Sequence, residues 1–507
     1  MNIHTGSSVP TRRHVMQGLA ALATASFLPG CSSSKSTAAT LAASPSNPQP
    51  TPAGAITQAS LTVAEQQIGS IGPAFAGLSY EKGSLNQQFH FFRGSNTDLI
   101  GLFKLLGNSV FRIGGNSVDQ NIWAPNGSGG TTGQIAPSDV DSLAAFLEAT
   151  GWKCLYGINL GGSATGATTP ELAAAEVAYV AQKLGPSLLG IEIGNEPDAY
   201  GNAGGYYAGN WSLSRFLTVW GEYRAAILKT TPGILITGPA DSGNISGWTI
   251  PFSQAVTARE ISLITQHYYR ANGQSASSTA EFLITPDHNL IGDLSQLQTG
   301  AQQIGIPYRM AECNSFYGGG AIGVSDSYAS ALWAVDFLFD CATGAASGVN
   351  FHGGGDGNGY TPIANQAGSV VGARPDFYGI LLFTLAGEGA LCEVGLSAGS
   401  LNVTAYAVRA ASGGFNIVVV NKGSTQNLQL QLSVPQSITS AALIELTQST
   451  SGSGEPDLTA TTGITIQGAT VGLDGAFSPS PGYTLDTNGN QFSCYVSALS
   501  AVLIQVK

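Results

Sequence analysis

Two short runs place carboxylates where they could do chemistry. Gly194-Asn195-Glu196-Pro197-Asp198 follows one apolar run, and Met310-Ala311-Glu312-Cys313-Asn314 closes another. Each sets a glutamate where a strand meets its loop. Two carboxyls that face one another can divide the cleavage of an acetal between them. One, protonated, gives a proton to the departing oxygen; the other, ionised, attacks the carbon. A separation of about 5–5.5 Å permits direct attack with retention, while roughly 6.5–9.5 Å leaves room for water and inverts. Positioned proton transfer alone contributes about 10²–10⁴ in rate. Asp198 is a competing acid, further into its loop. Taken singly, neither run argues for this chemistry, since Glu before Pro also simply ends a strand.

The elements that must position them are legible as eight short β-rich runs: 74–80, 109–114, 153–160, 188–193, 234–239, 261–269, 307–312 and 347–352. Their near-continuous apolar character suits strands buried on both faces. Helical periodicity fills the gaps at 97–106, 138–150, 170–184, 212–230, 293–304, 328–343 and 376–386. The expected fold is α/β: a (β/α)₈ TIM barrel over 75–390. A doubly wound sheet would want a Gly-rich phosphate turn after the first strand, and Tyr80-Glu81-Lys82-Gly83 is not one. Glu196 and Glu312 then end the fourth and seventh strands and share one mouth, which is where a barrel keeps its chemistry. Beyond residue 390 short strands alternate with Gly/Ser/Asn turns, an expected antiparallel β-sandwich over 391–507. Residues 56–74 are expected to join it.

The N-terminus reads as an address. Arg12-Arg13 before the apolar stretch Gly18–Leu28 resembles a twin-arginine export signal over 1–31. The stretch is too short to span a bilayer, which takes about 20 residues. It ends Leu28-Pro29-Gly30-Cys31, which resembles a lipoprotein box. Either Cys31 carries lipid and anchors the chain to a membrane, or cleavage falls nearby without lipid. Residues 32–55 are Ser, Thr, Ala and Pro almost throughout, an expected disordered tether. The later run Tyr328–Ala346 is interrupted by Asp336 and Asp340. The body is expected to be soluble and exported, in the periplasm, the cell envelope or the medium.

Composition narrows the rest. Apolar residues make up 43%, enough for a large core, and charged residues only 10%. Nineteen Lys and Arg against 31 Asp and Glu give −12, with no basic run. Nucleic acid is excluded as a partner, because phosphate neutralisation needs clustered positive charge. Without Cys31 five cysteines remain and no CxxC pair exists, so no zinc site is signalled. Buried thiols are expected, with Cys392 and Cys494 the candidates for a bridge. Two carboxylates complete the cleavage alone, so no cofactor or metal is implied.

Several stretches together resemble glycoside hydrolase family 79, the β-glucuronidase and heparanase family. They are Phe111-Arg112-Ile113-Gly114-Gly115, Gly194-Asn195-Glu196-Pro197, His267-Tyr268-Tyr269, Glu312 with Phe316-Tyr317-Gly318-Gly319-Gly320-Ala321, and Gly357-Asn358-Gly359-Tyr360. The resemblance implies a retaining enzyme with Glu196 as acid/base and Glu312 as nucleophile, acting on a glucuronic-acid-containing glycoside. It implies that Asn195 contacts the sugar 2-OH and adds Gly359 and Tyr360 to the site. Arg112, ending the second strand, either holds Glu312 ionised or is structural. Tyr268 is expected to orient the nucleophile, with His267 on the opposite strand face. Tyr317 and the backbone N–H groups of Gly318–Gly320 are candidates for holding a substrate carboxylate. Asn116, after the second strand, is grouped with the substrate-binding residues. Asp356 is expected to point away. An acidic chain lacks the basic groove a sulfated polysaccharide needs, which argues for exo action. The alternatives are a xylosidase, glucosidase, arabinofuranosidase or heparanase-like relative, and a glycan-binding envelope lipoprotein without catalysis.

Overall fold

The computed structural model describes residues 47–256, 260–353, 359–411, 413–449 and 456–507. The export signal, Cys31, Asp356, Gly357 and Asn358 lie outside the described residues.

Eight parallel strands close a barrel in chain order: β1 (Ala76–Glu81), β2 (Val110–Gly114), β3 (Lys153–Ile158), β4 (Leu188–Ile193), β5 (Ile236–Asp241), β6 (Leu263–Asn272), β7 (Tyr308–Tyr317) and β8 (Val349–Gly353). β8 closes on β1, Val349 beside Ala76 and Gly353 beside Tyr80. Every residue of β2, β5 and β8 is buried, as strands covered on both faces require. The helices between them are α1 (Thr97–Leu105), α2 (Pro137–Thr150), α3 (Pro170–Leu184), α4 (Leu213–Thr230), α5 (Ile250–Ala255), α6 (His288–Ile304), α7 (Tyr328–Thr343) and α8 (Pro375–Ala386). Their starts follow entry chemistry: Thr169 accepts from the Leu172 N–H ahead of Pro170 at the first helical position. α6 begins earlier than periodicity suggests, because Asp287 caps it through the Leu290 N–H. β7 also outruns expectation. It continues past Glu312 to Tyr317, with a bulge between Met310 and Glu312, and stays paired to the equally long β6. Polar Asn314 and Ser315 are tolerated there because Asn314 donates to the His352 and Tyr360 carbonyls and Ser315 to Ser325.

The second region is one eleven-stranded sheet that curls around its own core. Its strand Phe415–Asn421 shows how a continuous apolar run serves two cores. Ile417 and Val419 face the inside of the sheet, while Val418 and Val420 pack with the barrel helices. The strand Ile56–Ile71 pairs antiparallel with Gly389–Ser397 and parallel with Asn427–Ser433, so the sheet is not purely antiparallel. α7 lies between barrel and sheet and is buried almost all round, as a helix apolar on every face must be. Its Asp336 is matched by Lys422 and Thr404 from the sheet.

Residues 47–55 correct the tether expectation. The Gln49 side chain exchanges two 2.8 Å hydrogen bonds with the Tyr495 backbone, and the Asn427 amide donates to Ala53 O at 2.6 Å. Composition reports that this segment buries no core, but not that its polar groups can dock on a sheet edge. Cys154, Cys313, Cys341, Cys392 and Cys494 are all buried free thiols. Among the described residues no helix is long and apolar enough to cross a membrane.

Candidate active site

Arg112 organises the barrel mouth. It stands on β2, fully buried, and its guanidinium reaches several partners at once, Ser79 Oγ among them at 3.4 Å. Nε donates to Glu192 Oε2 at 2.7 Å, Nη1 to Glu312 Oε2 at 2.7 Å and Nη2 to Asn195 Oδ1 at 3.0 Å. Burial alone would lower its pKa, but the charges of Glu192 and Glu312 raise it, so it stays cationic. The glycines after it are sterically required. A Cβ on Gly114 would stand 2.2 Å from the guanidinium carbon, and one on Gly115, which has φ +74°, 2.5 Å from the Glu81 carboxyl.

Glu312 is buried at 6% exposure and held from both sides. Tyr269 Oη donates to Oε1 at 2.9 Å, opposite Arg112 on Oε2. His352 Nδ1 lies 3.8 Å away. Burial alone would raise the carboxyl's pKa; the charges of His352, His267 and Arg112, with the Tyr269 hydrogen bond, outweigh it and hold the group well below the usual range. Glu312 is therefore an ionised carboxylate. His352 is its counterpart: burial opposes its charge, but Glu312 and Glu81 raise its pKa. Ser79 bonds its Nδ1 at 3.0 Å.

Tyr268 does not orient the nucleophile. Its hydroxyl donates to Asp287 at 2.6 Å and its ring stacks on Phe337 of α7, on the outer face of the barrel wall. Strand alternation is the reason: His267 faces inward, so Tyr269, two residues on, does too.

Glu196 follows β4 through Gly194, whose φ is +89°. Its own φ of +50° is left-handed, a conformation that costs a β-carbon-bearing residue about 1–3 kcal/mol and that surrounding structure must over-determine. The Glu196 N–H to Ala240 O bond, 2.8 Å, is part of that hold. Its carboxylate is half-buried and meets His267 Nδ1 at 3.0 Å. One carboxylate oxygen of Glu196, one of Glu312 and a ring nitrogen of His267 lie within 4.8 Å of one another. That spacing suits direct attack and is tight for an intervening water. Three such groups could each offer a ligand to a cation, but the Arg112 guanidinium beside Glu312 opposes a second positive charge. Asp198 is committed elsewhere, accepting from Ser242 N–H at 3.0 Å and Ser242 Oγ at 2.6 Å.

The expected substrate-binding residues divide. Asn195 is buried next to the pair; Arg112 takes its carbonyl oxygen, which turns its NH₂ the other way. Tyr360 is buried with its ring 6.0 Å from Tyr269 and 5.9 Å from His352. Burial and the charge of Glu312 push its pKa up, so it is a neutral donor. The N–H of Gly359 is already bonded to Gly319 O at 2.8 Å, so it is not free to hold a substrate carboxylate. That bond instead ties the β8 loop to Gly318–Gly320, all three left-handed. Tyr317 stands 49% exposed at the end of β7. Asn116 is exposed and meets the network through its backbone N–H, 3.3 Å from Glu81. Sequence reading missed Tyr269, Glu192, Glu81 and His352. The i, i+2 spacing of His267 and Tyr269 was the available signal, as was a lone Glu192 in an apolar strand.

No protein-family model matches the chain. A β-glucuronidase of Aspergillus niger is 26% identical over 324 residues, 56% of this chain, and the chain spans 58% of that enzyme's length. Among solved structures, a 4-O-α-L-rhamnosyl-β-D-glucuronidase from Fusarium oxysporum 12S superposes with a TM-score of 0.72 at 18% identity, over 88% of this chain and 100% of that one. A family 51 arabinofuranosidase from Xanthomonas axonopodis pv. citri does so with 0.61 at 16%, over 89% and 100%. These structural likenesses show the fold. The class these findings define is one of likeness: an eight-stranded barrel with two facing glutamates at its mouth, similar in fold to glycoside hydrolases of solved structure. In sequence the chain is similar to the Aspergillus β-glucuronidase over the matched part.

Proposed function

We propose that the chain is a retaining, exo-acting β-glucuronidase that removes terminal β-D-glucuronic acid by double displacement. The observation that carries this is the approach of Glu196 and Glu312, with oxygens within 4.8 Å, while Arg112 and Tyr269 hold Glu312 charged. Glu312 attacks the anomeric carbon as Glu196 protonates the leaving oxygen, giving a glycosyl ester. Glu196 then takes a proton from water, which attacks the same carbon and frees Glu312. The Asn195 NH₂ reaches the 2-OH, a contact that strengthens in the transition state. Tyr360, Tyr317 and the Gly318–Gly320 backbone receive the sugar carboxylate. The Aspergillus and Fusarium enzymes support glucuronide as the substrate. The likeness to an arabinofuranosidase keeps a second sugar in view. A panel of aryl β-glucuronide, β-glucoside, β-xyloside and α-arabinofuranoside separates them: the glucuronide is expected to be cleaved fastest, and preference for any other overturns the assignment.

We further propose export through the twin-arginine signal and anchoring by lipid at Cys31. Metabolic labelling with a fatty acid tests the anchor, and Cys31→Ser should abolish the label.

A further inference from the structure

Three successive backbone N–H groups lead into the acid/base, and each goes to a different element. Gly194 N–H donates to Ile158 O at the end of β3 at 2.8 Å, and Glu196 N–H donates to Ala240 O in β5 at 2.8 Å. Between them Asn195 N–H donates to Tyr200 Oη at 3.2 Å. The first two acceptors are main chain and survive substitution, whereas the third belongs to a side chain. Tyr200 is buried, and its hydroxyl donates in turn to Asp119 Oδ2 at 2.5 Å. Asp119 is buried in the turn Asn116–Gln120 after β2, and its other oxygen accepts from the Leu160 and Gly161 N–H groups at 2.8 and 2.9 Å. One carboxyl group thus joins the loops that follow β2, β3 and β4.

We propose that Asp119 and Tyr200 are positioning residues that set the placement of Glu196 as proton donor, by fixing the peptide between Gly194 and Asn195. The proposal rests on the acid/base reading of Glu196 above. Asp119 reaches Glu196 only through Tyr200 and Asn195. With Asp119 accepting the hydroxyl proton, Tyr200 Oη turns a lone pair to the Asn195 N–H. Burial and the Asp119 charge hold the phenol far above its ordinary pKa, so it stays a neutral donor. The peptide needs this hold because Gly194, at φ +89°, leaves it free to rotate. Glycine is also what admits the hydroxyl, since a Cβ on Gly194 would stand 2.9 Å from Tyr200 Oη. Downstream, the left-handed Glu196 must be over-determined by its neighbours. Arg112 holds the Asn195 side chain, so without Tyr200 that residue is fixed at one end only.

The test compares kcat/KM for two β-glucuronides in wild type, Tyr200→Phe, Asp119→Asn and the double variant. An alkyl glucuronide needs its leaving oxygen protonated, and a dinitrophenyl glucuronide does not. A displaced acid costs the first and spares the second, so Tyr200→Phe should lower the alkyl-to-dinitrophenyl ratio about tenfold or more. Asp119→Asn should lower it at least as far, because either orientation of the amide sets a donor against donors. Its NH₂ faces the Leu160 and Gly161 N–H groups, or it faces the Tyr200 hydroxyl and turns that proton toward Asn195. In the Tyr200→Phe background, Asp119→Asn should change the ratio no further, since it acts through the lost hydroxyl. Tyr200→Phe keeps the ring packed against Tyr206 and Trp211, so it decides the matter if Asp119→Asn does not fold. A merely structural role lowers the melting temperature and the active fraction, counted by titration with a 2-fluoro glucuronide, but leaves the ratio as it was. A ratio unmoved in Tyr200→Phe overturns the proposal, as does a double variant in which the two losses multiply. Glu196→Ala should show the same preference more strongly; if it shows none, the acid/base reading itself fails.

Discussion

Tyr269→Phe and Tyr268→Phe remove the same atom from adjacent residues and should have opposite consequences. Tyr269 Oη donates to Glu312 at 2.9 Å inside the cleft, whereas Tyr268 Oη donates to Asp287 at 2.6 Å outside the barrel wall. A hydrogen bond to a charged group contributes about 1.5–3 kcal/mol, and each 1.36 kcal/mol is tenfold, so Tyr269→Phe should lower kcat/KM by about 10- to 150-fold. The pH profile carries a second signature. The Tyr269 hydrogen bond is among the influences that lower the Glu312 pKa, so losing it raises that pKa. The nucleophile must be ionised, so the acid limb of kcat/KM should move to higher pH. Tyr268→Phe should keep both rate and acid limb near wild type and lower the melting temperature. Steady-state kinetics over pH with an aryl glucuronide and thermal melting read out both variants. A Tyr268→Phe enzyme as crippled as Tyr269→Phe, or a fully active Tyr269→Phe enzyme, would refute the reasoning.

Four further outcomes follow. Glu196→Ala should lose about 10²–10⁴ in turnover of poorly activated glucuronides, with azide restoring part of it on activated aryl substrates as a β-glucuronosyl azide. Gly114→Ala should push its methyl onto the Arg112 guanidinium, costing about 1–3 kcal/mol as overpacking does, and melting should report it. Asp241 is raised to about 9, first by burial and then by Asp198. The folded state then holds a proton that the unfolded chain releases near pH 4, so this group's contribution to stability falls as pH rises through that window and levels off above 9. Asp241→Asn should therefore gain melting temperature relative to wild type between pH 5 and 9. Finally, reductant should leave the melting temperature unchanged, since all five cysteines of the described residues are free.

The barrel was legible because parallel strands buried on both faces leave unbroken apolar runs, and the two glutamates stood out at the ends of two of them. The phase of β6 was not. In His267-Tyr268-Tyr269 either tyrosine could face inward until the contact of His267 with Glu196 settles the alternation. Glu192 reads as an ordinary strand residue, since nothing local shows that Arg112, far off in sequence, neutralises it. The end of β7 was hidden because Cys313-Asn314-Ser315 looks like loop, and only cross-strand partners make those polar residues tolerable. The docking of Gln49 depends likewise on an edge supplied by Tyr495.

The central claim is covalent capture of the sugar by Glu312, and the anomer of the first product tests it most directly. Proton NMR of the wild-type enzyme acting on an aryl β-glucuronide, begun before mutarotation, should show β-glucuronic acid appearing first and the α form growing only later. Initial release of the α anomer would mean that water, not Glu312, attacks the sugar, and would contradict the account.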